Sequence, residues 1–151
     1  MNLQEELKAL KQRIAELEQL AKEEQEFPQD GDGYWYIDDY GYILNEKWDG
    51  LDFEEFRLEI GNVFKTKEQA EFAVEKLKVE AELRKFSRPF ESTENNFYIV
   101  FDASDGSVDV WYVSYSKIQG AIYFESKKKA IEAIESVGVD RIKKYIFGVE
   151  D

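Results

Sequence analysis

The sequence predicts an α+β fold in which an N-terminal coiled-coil helix is followed by an antiparallel sheet with helices. Three observations predict this fold. Leucines recur with heptad spacing near the N-terminus. Segments rich in aromatic residues, in which apolar and polar residues alternate, flank turn signals such as Asp-Gly. A motif of apolar strand, hydroxyl residue and helix occurs at 63–75 and again at 123–135, so two related ββα-type halves are a further expectation.

The heptad pattern of residues 3–25 predicts a parallel coiled coil between copies of this chain, with a dimer as the expected oligomer. Its core residues alternate between a and d positions: Leu3, Leu7, Leu10, Ile14 and Leu17. In a parallel pair, Glu6 would face Lys11 of the partner helix. Arg13 would likewise face Glu18, and both contacts are attractive. The alternative is a helix that packs on the protein's own globular part.

Three regions are expected along the chain. The oligomerisation helix takes residues 1–26, and residues 27–33 form a linker because proline and glycines interrupt the helical pattern there. Residues 34–151 form the α+β domain. Its strands are expected at 34–38, 42–46, 57–64, 97–102, 108–115 and 121–124.

The acidic segment from Trp48 to Glu59 is expected to be irregular, with Leu51, Phe53 and Phe56 anchoring it. Helices are expected at 66–86, 126–138 and 140–147. Their first residues Thr66, Ser126 and Asp140 are the predicted N-caps.

The first of these three helices has apolar residues on two nearly opposite sides, so we expect it to be covered from both sides. One stripe consists of Ala70, Ala73, Val74, Leu77 and Ala81. The other consists of Phe72, Val79, Leu83 and Phe86.

Residue content limits the available chemistry. The 151 residues include no cysteine and no histidine, which removes thiolate and imidazole nucleophiles, general bases and metal ligands. We therefore expect a protein that is not an enzyme and needs no cofactor or metal. The net charge of −13 disfavours binding to nucleic acid or to an anionic membrane. With neither a long apolar run nor a secretory signal, an intracellular location is expected.

Four segments, YWYIDDYGYI, IGNVFKTKEQAEFAVEKLK, GAIYFESKKKAIEAIE and RIKKYIFGVED, resemble a recurring type of small accessory protein encoded by bacteriophages and prophages of Gram-positive bacteria. The resemblance covers residues 34–151. It implies a protein made in the bacterial cytoplasm that interferes with host defence. No catalytic or binding residue follows from the resemblance.

The acidic residues after the first hairpin form the predicted partner-binding site. They are Asp49, Asp52, Glu54, Glu55 and Glu59, within a segment, 27–60, whose net charge is −8. Dense carboxylates can imitate nucleic-acid phosphates toward a basic host defence protein. The simpler interpretation is a solubilising surface.

A nucleotide-binding site is the alternative, in which the protein sequesters a nucleotide immune signal. Lysines stand at the predicted starts of the two repeated helices, where a bound phosphate would be stabilised. Aromatic residues nearby are positioned to stack on a base. This set comprises Lys67, Ser126, Lys127, Lys128, Tyr123 and Phe124.

Three further interpretations concern oligomeric structure, the tryptophans and a group of acids. The heptads also fit an oligomeric scaffolding protein. Trp35, Trp48 and Trp111 are expected in the core or on hairpin faces, with a ligand pocket as the alternative. The acids Asp30, Asp32, Asp38 and Asp39 do not match the spacing of an EF-hand, so they are interpreted as linker and turn residues.

Overall fold

The computed structural model describes residues 2–24 and 26–150 and has the predicted α+β architecture. Its elements in order are α1 (Leu3–Glu24), β1 (Gly33–Ile37), β2 (Ile43–Lys47), α2 (Asp52–Glu59), α3 (Lys67–Arg84), β3 (Asn96–Asp102), β4 (Ser107–Val113), α4 (Lys127–Val137) and α5 (Val139–Tyr145). Within these described ranges, no helix combines the length and the apolar character that crossing a membrane requires.

The chain divides into two compact units. Unit 1 comprises the chain as far as Tyr36 together with Leu44–Thr66, and therefore holds α1, α2 and most of the first hairpin. Unit 2 comprises Ile37–Ile43 and the chain from Lys67 onward.

Helix α1 is a single helix of 22 residues that begins with a reciprocal cap. The Asn2 side chain accepts a hydrogen bond from the Glu5 amide at 2.9 Å, and the Glu5 carboxylate accepts one from the Asn2 amide at 3.3 Å. The predicted core positions are all open to solvent, with Leu17 the least exposed at 49% and Leu3 the most exposed at 82%. Packing of this stripe on the protein's own globular part is therefore not observed.

The two hairpins share one arrangement, in agreement with the internal repeat. In unit 1, Trp35 of β1 exchanges two backbone hydrogen bonds with Phe64, at 2.8 and 2.9 Å. In unit 2, Phe97 of β3 exchanges two with Phe124, at 3.1 and 2.8 Å. The first strand of each hairpin thus lies between its partner strand and a one-residue bridge. Three residues after each bridge, α3 or α4 begins.

The core of unit 2 lies between the β3–β4 sheet and helices α3, α4 and α5. Its buried residues come from all three helices and from the bridge: Val79, Leu83, Phe124, Ala130, Ala133, Ile134, Val137 and Ile142. The Arg141 guanidinium of α5 donates two hydrogen bonds to the Glu82 carboxylate of α3, at 2.8 and 3.2 Å, which ties the two helices together.

Helix α3 has buried residues on both of its apolar stripes, but the stripes are not covered along their whole length. Ala70 and Val74 are buried on the first stripe, and Val79 and Leu83 on the second. Leu77 is 57% exposed, so the small-residue stripe is covered only near the start of the helix.

The caps of the last two helices follow different rules. Ser126 caps α4 as predicted, because its hydroxyl accepts the Lys129 amide at 3.1 Å. The prediction that Asp140 caps α5 is wrong. Helix α5 begins at Val139 directly after Gly138, whose φ of 101° is in the region that favours glycine.

Two predictions for the segment around α2 are also wrong. Residues 48–59 are not irregular, since α2 occupies Asp52–Glu59. The strand expected at 57–64 is reduced to the single bridge at Phe64. The strand expected at 121–124 is likewise reduced to single bridges, from Tyr123 to Arg88 and from Phe124 to Phe97.

Replacing Leu83 by Ala should lower the free energy of unfolding by about 2–5 kcal/mol, because Leu83 is only 2% exposed in the core of unit 2. Leu77→Ala is the matched control on the same helix and should change stability by less than about 0.5 kcal/mol. Urea denaturation followed by circular dichroism measures both. Similar losses for the two variants would contradict the described packing of α3.

Candidate functional site

An aromatic cluster forms the core of unit 1. Tyr34 and Tyr36 alternate along β1 and therefore face the same side of the hairpin. Trp48 packs edge-on against Tyr34, with ring centroids 5.6 Å apart, and Phe27 and Val63 lie against the cluster. Because tyrosine hydroxyls need partners when buried, the sequence of β1 requires polar groups at the inner end of these rings.

The Glu54 carboxylate provides the central polar group, although the residue is only 1% exposed. It accepts a hydrogen bond of 2.6 Å from the Tyr34 hydroxyl. It also accepts the backbone amides of Asp49, at 2.9 Å, and Leu51, at 3.2 Å. Leu51 precedes α2 and Glu54 is the third residue of the helix, so the side chain reaches back to satisfy an amide at the helix start.

Arg57 completes the network one turn later. Its Nη1 atom donates to the Tyr34 hydroxyl at 2.8 Å and to the Glu46 carboxylate of β2 at 3.2 Å. The guanidinium lies 3.6 Å from the centroid of the Tyr36 ring and 4.9 Å from that of Phe53. The Tyr36 hydroxyl also bonds to Glu46, at 3.2 Å. Helix α2 is thereby fixed to both strands of the hairpin.

The ionisation of these groups follows from their contacts. Burial raises the pKa of Glu54, but the hydrogen bonds from Tyr34, Asp49 and Leu51 outweigh it, so the pKa lies below its ordinary value. Burial, and then the hydrogen bond to Glu54, raise the pKa of Tyr34 well above its ordinary value. Near neutral pH, Glu54 therefore stays charged and Tyr34 stays protonated. These hydrogen bonds fix the positions of the side chains. Groups that keep their protonation states near neutral pH are poorly suited to proton transfer.

Burial of Glu54 corrects the predicted partner-binding site, since Glu54 does not belong to the acidic surface. The other four predicted acids, Asp49, Asp52, Glu55 and Glu59, are exposed. At 100° per residue, Asp52, Glu55 and Glu59 project from the side of α2 that is opposite Glu54. The structure therefore brings three of the predicted carboxylates onto one open face.

The apolar residues of the segment around α2 do not anchor it in the way the sequence predicted. Leu51, Phe53 and Phe56 were expected to anchor the segment, but their exposed fractions are 48%, 48% and 63%. Phe56 lies among the three outward acids, and Ile60, at the end of α2, is 80% exposed. We call the exposed residues Asp52, Glu55, Phe56 and Glu59 the α2 face. It combines negative charge with a large apolar side chain.

The residues of the alternative nucleotide site are placed unfavourably for stacking. Phe124 is fully buried and Tyr123 is 7% exposed, so neither ring offers a free face to a base. The Tyr123 hydroxyl is held by the Ile118 backbone, whose amide donates to it at 2.6 Å. The Ser126 hydroxyl accepts a backbone amide as the cap of α4. This prediction of a stacking platform is wrong.

The lysines of that set do lie on the surface. Lys67 is within 3.9 Å of Glu71 one turn further along α3. Lys127 and Lys128 are exposed in the first turn of α4. Exposed lysines in a first helical turn are typical of a solvated surface.

The three tryptophans have different surroundings. Trp48 is buried and Trp35 is half-buried, as expected of core and hairpin residues. Trp111 is 56% exposed and lines a largely apolar cavity of about 520 Å³ in unit 2. The charged residues at this cavity, Glu80 and Arg84, pair with each other at 3.5 Å. That pairing leaves little net charge there to select a ligand.

The turn acids behave as predicted where their contacts are described. Asp38 accepts the amides of Tyr40 and Tyr42 at 2.9 and 2.8 Å, and Asp32 accepts the Gln29 amide at 2.8 Å. In the described part of the chain, no three acidic side chains are grouped so that they could hold a metal ion.

Sequence reasoning missed the roles of Tyr34, Glu46 and Arg57. One signal was present: the segment 27–60 has ten acids and only two bases, Lys47 and Arg57. Arg57 is the only arginine in this acidic segment, so it was the basic residue with the most candidate carboxylate partners, and the structure pairs it with Glu46 at 3.2 Å. No family model, curated protein or solved structure matches this chain.

Replacing Tyr34 by Phe should lower the free energy of unfolding by about 1–3 kcal/mol, because the buried Glu54 carboxylate loses its shortest hydrogen bond. Tyr36→Phe is the matched control. Its hydroxyl bonds to Glu46, a side chain that is 41% exposed, so the loss should be below about 1 kcal/mol. Urea denaturation measures both, and equal losses would contradict the central position of Tyr34.

The lowered pKa of Glu54 predicts an acid-sensitive unit 1. A carboxyl group whose pKa is lower in the folded protein stabilises the fold above its unfolded pKa of about 4.3, and this stabilisation is lost as the pH falls through the folded pKa. Glu54→Gln should be less stable than the original protein at neutral pH, and the difference should narrow on acidification. Thermal denaturation between about pH 3 and pH 7 tests this. A difference that is independent of pH would contradict it.

Proposed function

We propose that this protein is a non-enzymatic binding protein that inhibits a host antiviral defence component through the α2 face, which imitates nucleic-acid phosphates toward a basic partner. The observation that carries the proposal is the orientation of α2. Its interior side is occupied by Glu54 and Arg57, while three acids and Phe56 point outward. The resemblance of residues 34–151 to phage accessory proteins supplies the biological context.

The spacing of the carboxylates supports phosphate mimicry. Asp52 and Glu59 are seven residues apart on one side of a helix, which separates them by about 10.5 Å along the axis, with Glu55 between them. One strand of B-DNA carries a phosphate about every 3.4 Å along its axis, so the two charge densities differ by less than about twofold. A groove shaped for a phosphate backbone would therefore meet a similar negative potential.

Phe56 adds a contact that a phosphate backbone does not have. A phenyl ring that is 63% exposed beside three exposed acids can fill an apolar pocket of a partner. Buried aromatic anchors supply most of the binding energy in many interfaces, whereas peripheral charges mainly raise the association rate. We therefore assign specificity to Phe56 and attraction to the surrounding acids.

The polar network beneath α2 favours binding over chemistry. Tyr34 and Glu54 keep their charge states near neutral pH, and Arg57 is held between Tyr36 and Phe53. A helix held at both strands of a hairpin presents its outer side chains with little freedom, which lowers the entropy cost of association. The nucleotide alternative ranks below this proposal because Tyr123 and Phe124 are buried.

The test compares two variants that each remove three negative charges. The first, Asp52→Asn with Glu55→Gln and Glu59→Gln, neutralises the α2 face. The control, Glu125→Gln with Glu135→Gln and Asp140→Asn, neutralises exposed acids of unit 2. Proteins that co-purify from a lysate of the defence-bearing host, and phage plaquing on that host, are measured for each. The face variant should bind the basic partner at least about tenfold more weakly, and the control should bind normally.

The salt dependence of partner binding and competition by duplex DNA test the same proposal. Binding of the partner to the original protein should weaken steeply between about 0.05 M and 0.5 M salt, because exposed charges are screened. Duplex DNA should compete with the protein for that partner. Phe56→Ala should weaken binding without loss of stability. Equal behaviour of the two neutralised variants would mean that only net charge matters, and the proposal would then be wrong.

A further inference from the structure

Helix α1 carries an apolar seam that the described chain leaves uncovered. Six large aliphatic side chains along its length are each at least 49% exposed: Leu3, Leu7, Leu10, Ile14, Leu17 and Leu20. The first five follow the alternating 4-and-3 spacing of a heptad repeat, and Ala21 continues it. Such a stripe on a helix of 22 residues is larger than scattered surface leucines and indicates an interface.

We propose that this seam pairs with the same seam of a second copy of this chain, in a parallel, in-register, two-stranded coiled coil. This inference goes beyond the proposed function, since it involves none of the residues of the α2 face. A second copy of this chain is the proposed occupant of the stripe because the charged residues beside the stripe complement each other across a parallel pair.

The charges of Glu6 and Lys11 fit a partner helix and not their own. The residues three and four positions after Glu6 are Ala9 and Leu10, so no basic residue is available to it one turn ahead. The residues three and four positions before Lys11 are Lys8 and Leu7, so no acid precedes it either. In a parallel pair, Glu6 at g meets Lys11 at e of the other helix, twice by symmetry.

The charged residues at the e and g positions disfavour an antiparallel pair of helices. Pairing Leu7 with Leu17 and Leu10 with Ile14 in antiparallel helices brings e next to e and g next to g. Lys11 then faces Lys11 of the other copy. Ile14 is the one β-branched residue among the a positions Leu7, Ile14 and Ala21, and a β-branched residue at a with leucine at d favours two strands. Together these residues specify both the direction and the number of helices.

The absence of cysteine from the sequence allows a clean cross-linking experiment. In a parallel in-register pair, Leu3→Cys in one chain lies beside Leu3→Cys in the other, so mild oxidation of the full chain should give a covalent dimer. Gln12→Cys is the control, because position 12 lies on the outer side of the coiled coil and should cross-link poorly.

A mixture of chains tests the direction. When Leu3→Cys chains are mixed with Ala21→Cys chains, the parallel arrangement gives only like-with-like disulfides. The antiparallel arrangement places residue 3 beside residue 21 and would give the mixed disulfide. A predominant mixed product would overturn the proposal, as would equal cross-linking of Gln12→Cys and Leu3→Cys.

Sedimentation of the full chain tests the association without any cysteine. Glu6→Lys should raise the dimer dissociation constant by about fivefold or more, because lysine then faces Lys11 at two symmetric contacts. Adding Lys11→Glu to the same chain should restore it. A monomer at about 10 µM, or a double variant no better than the single one, would overturn the proposal. The neutralised α2-face variant should still dimerise, so failure of the proposed function would leave this result unchanged.

Discussion

Unit 1 depends on one buried carboxylate. Glu54 is 1% exposed and is satisfied by a tyrosine hydroxyl and two backbone amides, which together replace the water that a charged group otherwise needs. These bonds fix where α2 begins, because one amide belongs to Leu51 immediately before the helix. They also fix its rotation, since Glu54 and Arg57 must both face Tyr34. Unit 2 uses a comparable device: buried Asn96 bonds to backbone groups of Glu91 and organises the loop before β3.

The orientation of α2 reverses the usual relation between polarity and burial. A short surface helix normally turns its apolar side inward. Here Glu54 and Arg57, both hydrogen-bonded to the Tyr34 hydroxyl, occupy that side. Phe56 consequently points into solvent beside Asp52 and Glu59. Exposing a phenyl ring has a free-energy cost for a protein that acts alone, by an amount of about 1–2 kcal/mol relative to burial. If a partner covers the ring, as the proposed function requires, this cost is recovered on binding.

Features decided by neighbours in sequence could be predicted from the sequence. The hairpins, the Ser126 cap and the two repeated helices all depend on residues a few positions apart. The bridges that lead into those helices join residues almost thirty positions apart, and strands were wrongly predicted there. The burial of Glu54 could not be predicted in this way, because its hydrogen-bond partner Tyr34 is twenty residues earlier. Among so many acids it looked like one more solvated carboxylate. Tyr123 and Phe124 were misplaced for a similar reason, since an aromatic residue beside a helix start fits a core and a ligand platform equally well.

Segregation of charge explains how an acidic chain of this kind could pair with itself. Residues 1–26 carry seven acids and four bases, a net charge of −3, whereas residues 27–60 carry ten acids and two bases, a net charge of −8. The paired helices would therefore contribute little of the total repulsion, and Glu6 with Lys11 would convert part of it into attraction. Most of the remaining charge belongs to the segment that includes the α2 face. Two copies joined through α1 would present two such faces to one partner, and the second contact would then form at a high effective concentration. A weak acidic surface would thereby gain affinity without additional residues at the interface.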